Sequence, residues 1–186
     1  ALLTRPITSK SETVPFHPRT YFPCIAISEA PACSAAIAAS SGHDVLVYDI
    51  DEKKIKQLAS EDRDVIQSCL HEEGLGDLLV THKERITFTT EFTNVEMFLD
   101  TCDVVFLCLP TPEIDETGES NLSYYFDALQ TLTDALIARN SGMQEQYIVL
   151  VNKSTVPIDM AHRTGELLQQ AGVKHVGVVS NPEFLV

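Results

Sequence analysis

Residues 22–51 read FPCIAISEAPACSAAIAASSGHDVLVYDID, and this stretch decides the fold. Phe22 to Ile27 is short and apolar enough for a buried strand. Pro31 to Ser41 is almost all Ala, Ser and Ile. Ala is the best helix former, and Pro31 suits a first helical position because its missing N–H would be unpaired there anyway. Gly42 stops that helix. Val45 to Tyr48 is a second apolar strand, with Asp49 at its end. Strand, tight turn, helix and parallel strand make one βαβ unit. Where such a unit binds a dinucleotide, the turn after its first strand holds the pyrophosphate. An acid roughly 20 residues on then bonds the ribose hydroxyls. Asp49 stands about that far past Ser28.

The turn departs from the glycine pattern G-x-G-x-x-G. The chain has Ser28-Glu29-Ala30-Pro31-Ala32-Cys33, which keeps the spacing with Ser28, Ala30 and Cys33 in the glycine places. Counting back from Gly42 puts Ala26, Ser28 and Pro31 there instead. Neither register retains a glycine, so the turn loses the positive φ angles and close backbone approach that grip phosphates. Glu29 adds a negative charge where a pyrophosphate would lie.

A chain of 186 residues suits one domain with a full core, and 44% hydrophobic with 22% charged residues is ordinary for a globular protein. The formal net charge of −14 argues against nucleic acid or an anionic membrane surface as partner. Five Cys, with no C-x-x-C pair, read as buried reduced thiols of a cytoplasmic protein. The six His lack metal spacing, so no metal site is expected. No apolar run is long enough to cross a membrane. Residues 1–21 are polar and contain one acid, Glu12, which reads as an extension ahead of a domain spanning 22–186. The first residue is Ala rather than Met, as expected of a processed chain or a portion of a longer one.

Beyond the first unit, strands are expected at Arg85–Thr89, Asp103–Leu109, Tyr147–Val151 and Lys174–Val179. Helices are expected at Asp51–Ser60, Phe92–Leu99, Leu122–Ala138 and Pro157–Gln170. Glu61 to Leu79 reads as a polar segment broken by Gly74-Leu75-Gly76, and Glu113 to Asn121 as an acidic loop. Six strands alternating with helices mean an α/β fold with a doubly wound parallel sheet, in the order 3-2-1-4-5-6. Ligands bind such sheets beyond the carboxyl ends of the strands. The segments there are Ser28–Cys33, Asp49–Lys54, Pro110–Glu113, Lys153-Ser-Thr-Val-Pro and Asn181-Pro-Glu-Phe-Leu. Lys153–Pro157 also reads as a plain helix cap, and Asn181–Leu185 as a turn with a solvated Glu.

In these motifs, with Gly42-His-Asp-Val, Val47-Tyr-Asp-Ile-Asp and Pro110-Thr-Pro, the chain resembles the UDP-glucose/GDP-mannose dehydrogenase family from about Phe22 to Val186. That resemblance implies a Rossmann-like domain that binds NAD and serves oxidation of a nucleotide sugar's 6-hydroxymethyl to a carboxylate. By it, Asp49 binds the adenosine ribose with Lys54 nearby, and Leu109, Pro110 and Thr111 pass under the cofactor. Ser154 and Thr155 face the cofactor side, Thr155 holding a catalytic water, and Glu183 supplies general acid/base chemistry. The family's nucleophilic Cys has no counterpart among these five. A non-catalytic structural or assembly subunit, and a regulatory domain that binds nucleotide without turnover, are the competing readings. An oligomer, or membership of a larger assembly, is expected.

Overall fold

A computed structural model describes residues 21–25, 29–70, 72–114, 118–140 and 146–182. Among them run the strands β1 (Tyr21–Ile25), β2 (Asp44–Tyr48), β3 (Ile86–Thr89), β4 (Val104–Leu107), β5 (Ile148–Asn152) and β6 (Val176–Ser180). They form one sheet in the order β3-β2-β1-β4-β5-β6, and every neighbouring pair is parallel. Between the strands lie α1 (Glu29–Ser40), α2 (Glu52–Leu58), α3 (Arg63–Gln67), α4 (Leu75–Thr81), α5 (Phe92–Leu99), α6 (Ser123–Asn140) and α7 (Met160–Gln170).

Successive strand residues point to opposite faces, and β2 shows the consequence. Val45 and Val47 join one apolar cluster with Ala32, Ala35, Ala36 and Ala39 of α1. Leu46 joins the other, with Val105 and Leu107 of β4, Leu150 of β5, and Tyr125, Leu129 and Leu132 of α6. The sheet is therefore covered on both faces, as parallel sheets require. The α1 alanines recur at three- and four-residue spacing, so they form one face, and their small side chains let the helix lie close on β2. The helix ends with the Gly42 N–H donating to Ala39 O at 3.0 Å and the His43 N–H to Ala38 O at 3.1 Å. That pattern needs φ near the observed 92° at Gly42, a value that favours glycine.

Most element ends differ from the sequence reading by one or two residues, α1 starting at Glu29 rather than Pro31, and three departures carry a physical cause. The segment Glu61–Leu79 contains α3 and the start of α4 rather than a polar break. Asp62 caps α3 by accepting the Asp64 and Val65 N–H groups at 2.9 and 3.4 Å. Gly76 allows α4 to press on α3: a Cβ there would sit 3.2 Å from both Arg63 O and Gln67 Oε1. Next, α7 starts at Met160, not Pro157, because a tight turn from the Pro157 carbonyl to the Met160 N–H precedes it. Finally, β4 is shorter than Asp103–Leu109 at both ends. The cause at its carboxyl end is the bonding of Leu109 to the neighbouring loop, described below.

β1 carries a proline inside a central strand, where a ladder donor is missing. Its pairing with β2 runs unbroken from Tyr21 to Ile25. Alternate residues of a strand in a parallel sheet bond to alternate neighbours. Pro23 cannot donate to β2, so Phe22 and Cys24 must do so, and Pro23 faces β4. The β1–β4 pairing accordingly covers Cys24 and Ile25 and stops before Pro23. Pro23→Val should restore the donor, extend this ladder and raise stability by about 0.5–1.5 kcal/mol. A urea midpoint equal to or below that of the parent chain would show that something other than the missing N–H ends the pairing.

Candidate functional site

Because all six strands run the same way, their carboxyl ends share one edge of the sheet, where the connections to the helices gather. Asp49 follows β2 there and is 3% exposed. One of its oxygens, Oδ1, accepts the Asp51 N–H at 2.6 Å. Its second oxygen has no hydrogen-bond partner among the described residues. Burial holds the Asp49 carboxyl above its ordinary range; the Asp51 N–H and the Lys54 charge pull the other way, and the Asp51 charge adds to the rise. Asp51 in turn accepts the Lys54 N–H at 3.1 Å, which starts α2 and fixes Lys54 one turn from Asp49. A buried carboxylate with one oxygen committed and one open fits the diol of a ribose.

The loops after β4 and β5 are stitched together. Leu107 O accepts the N–H groups of Lys153 and Ser154 at 2.8 and 3.3 Å. The Ser154 hydroxyl, 5% exposed, accepts the Leu109 N–H at 2.7 Å. Thr111 donates its hydroxyl to the Thr155 carbonyl at 2.9 Å. The Asn181 N–H donates to Asn152 O at 2.8 Å and brings in the loop after β6. Thr155 and Pro110 are exposed, whereas Leu109, Thr111 and Lys153 are half-buried. So Asp49, Lys54, Leu109, Pro110, Thr111, Ser154 and Thr155 all lie along the one edge. The hydroxyls of Ser154 and Thr111 serve the loops themselves, while Thr155 engages neighbours through its carbonyl.

Ala30 and Cys33 lie within α1, and the connection from β1 to α1 spans 26–28. Cys33 is half-buried against the α1 cluster. Ser28 and Glu183 lie outside the described residues. Among the described residues no three His, Cys, Asp or Glu side chains are placed to hold a metal, and no helix is long and apolar enough to cross a membrane.

Sequence reasoning passed over three polar side chains beneath this edge: Tyr125 of α6, Asn152 of β5 and Thr164 of α7, each 0% exposed. The one available signal was an Asn closing the otherwise apolar run Ile148–Asn152.

The model of the UDP-glucose/GDP-mannose dehydrogenase family, NAD binding domain, matches residues 31–186. The chain belongs to this family. The matched segment carries the family's NAD-binding domain, and NAD is its cofactor. The match begins at Pro31, so β1 and the connection lacking glycines lie ahead of it.

The chain is 34% identical over 156 residues to the UDP-glucose 6-dehydrogenase TuaD of Bacillus subtilis, covering 82% of this chain and 30% of that protein. It is 32% identical over 156 residues to the UDP-glucose 6-dehydrogenase AglM of Haloferax volcanii, covering 81% and 33%. It thus spans about a third of the length of these family relatives. Among solved structures, a GDP-mannose dehydrogenase ternary complex from Pseudomonas aeruginosa aligns with TM-score 0.72 at 24% identity, covering 89% of this chain and 36% of that one. A UDP-glucose dehydrogenase from Pyrobaculum islandicum aligns with TM-score 0.71 at 23% identity, covering 90% and 37%. At such identities the likeness establishes the Rossmann-like α/β fold.

Proposed function

We propose that this chain is the cofactor-binding part of a nucleotide-sugar 6-dehydrogenase of the UDP-glucose type. The observation that carries the reading is the open oxygen of buried Asp49 on the same sheet edge as the joined loops 107–111 and 152–155. Two relatives at 34% and 32% identity are named UDP-glucose 6-dehydrogenases, which supports the substrate class. NAD, when bound, accepts the hydride. Asp49 binds its adenosine ribose, and Lys54 offsets the accumulated negative charge. Leu109, Pro110 and Thr111 form the floor under the cofactor, held level by Ser154. Thr155 orients a water, and Glu183 takes the proton that leaves the sugar hydroxyl as hydride departs.

The turn without glycines, with an acid opening α1, favours weak cofactor binding, and it also supports a non-catalytic descendant as the second reading. Each misfit of about 1.4 kcal/mol costs tenfold in affinity, so two or three move a micromolar site to the millimolar range. Calorimetric titration should therefore show millimolar NAD binding. Glu29→Gly combined with Ala30→Gly should tighten it by about tenfold or more. No heat of binding from either protein at millimolar NAD would sink the proposal.

A further inference from the structure

We infer that Tyr125, Asn152 and Thr164 form a buried brace that positions the loop 153–159, and with it Thr155. The inference rests on the proposed cofactor site only for its functional meaning; the geometry stands by itself. Tyr125 Oη donates to Asn152 Oδ1 at 2.8 Å. It lies 2.7 Å from Thr164 Oγ1. A phenol has one hydrogen, and here it goes to the Asn152 carbonyl oxygen, so Thr164 supplies the hydrogen of the second bond. The chain Thr164 to Tyr125 to Asn152 is thus directional, and each bond polarises the next.

Its placement matters more than its strength. Asn152 is the last residue of β5 and immediately precedes the loop. Thr164 lies one turn inside α7, just past the loop's far end. Both ends of the loop are therefore clamped to one hydroxyl, itself carried by α6. From Asn152 the bonding continues to the Asn181 N–H, and from the next two residues to Leu107 and Leu109. The brace holds β5, α6 and α7 at one height, where the loops that would meet a ligand emerge.

Stability does not account for this choice of residues. The Asn152 amide nitrogen is buried and has no acceptor among the described residues. Apolar side chains of similar shape would fill the same space without that cost. The polar set does what an apolar set cannot: it pins rotation and sliding of α7 against β5 through bonds with short reach and fixed direction. Tyr125 is thus a positioning residue that acts through Thr155, without itself touching a ligand.

Hydrogen exchange of the full chain tests this without any ligand. Tyr125→Phe and Thr164→Val should speed exchange of the Lys153 and Ser154 amides by about tenfold or more, an opening shift of one decade. The β2 amides should keep their protection. Thr164→Ser retains the donor and should restore the parent pattern. NAD titration of the same proteins then reads the functional consequence: affinity should fall in the first two and be restored in Thr164→Ser. Loop amides as protected in Tyr125→Phe and Thr164→Val as in the parent chain would overturn the brace. So would a uniform rise across all strands, which marks a stability effect alone. If the exchange result holds and the parent chain binds no NAD, the failure lies with the cofactor site and the brace stands.

Discussion

The purified 186-residue chain should not carry UDP-glucose through to the acid, with the two NADH per sugar that the full oxidation yields. Oxidation of an alcohol to an acid in the proposed reaction needs a covalent stage. A thiolate adds to the aldehyde carbon to give a thiohemiacetal, and a second hydride transfer to NAD turns it into a thioester that water cleaves. The thiolate must be exposed and near a group that favours ionisation. Cys102 and Cys108 are 0% and 3% exposed. Burial pushes the Cys102 thiol up to about 12, against the Arg139 charge that draws it down. Cys33 and Cys69 pack against the α1 cluster, and Cys24 lies in β1. In the proposed reaction, the water assigned to Thr155 has nothing to cleave without a thioester. The assay is absorbance of NADH with saturating sugar and NAD. Adding the remaining part of a complete family enzyme shows whether the missing thiol can be supplied in trans. Formation of the acid by the chain alone, with two NADH per sugar and lost in Glu183→Gln, would show that a nucleophile has been overlooked.

Replacing Asp49 by Asn should move stability and cofactor affinity in opposite directions. The folded state holds the Asp49 carboxyl above its ordinary range, chiefly through burial. A carboxyl raised in this way binds its proton more tightly folded than unfolded. Folding is favoured while the group is protonated, and stability falls as pH climbs from the unfolded value through the folded one. At neutral pH the ionised Asp49 therefore carries the whole cost. Asp49→Asn removes the charge, and its amide oxygen can still accept the Asp51 N–H. Its melting temperature at pH 7 should exceed that of the parent, and the margin should shrink as pH is lowered through that window. NAD affinity should drop by about tenfold to a hundredfold, because at the proposed site the ribose diol loses charge-assisted bonds. A variant that melts lower at neutral pH and binds NAD as well as the parent would refute both the burial argument and the ribose assignment.

What local patterning dictates was legible in the residues. The apolar run at Val45–Tyr48 and the helical spacing at Phe92–Leu99 map directly onto β2 and α5. Alternating strands and helices can close only by right-handed crossovers, which sends the ends of β2, β4, β5 and β6 to one edge. Asp49, Thr111 and Thr155 consequently fall on that edge, since each follows a strand. The glycine deficit at 26–33 and the small-residue face of α1 are equally properties of the chain alone.

Contacts across long separations were not legible, because nothing local signals them. The helices α3 and α4 arise where Asp62 caps one and Gly76 admits the other, and a polar stretch with two glycines reads as a loop until those partners meet. Ser154 reads as a helix cap or a cofactor contact, and nothing local shows that its hydroxyl accepts the Leu109 N–H, 45 residues away. Tyr125 counted as one more apolar position of α6, and only the tertiary structure brings its hydroxyl to Asn152 and Thr164, 27 and 39 residues off. A side chain's periodicity reveals which face it lies on. The identity of its hydrogen-bond partner is decided only when burial removes water as the competing partner.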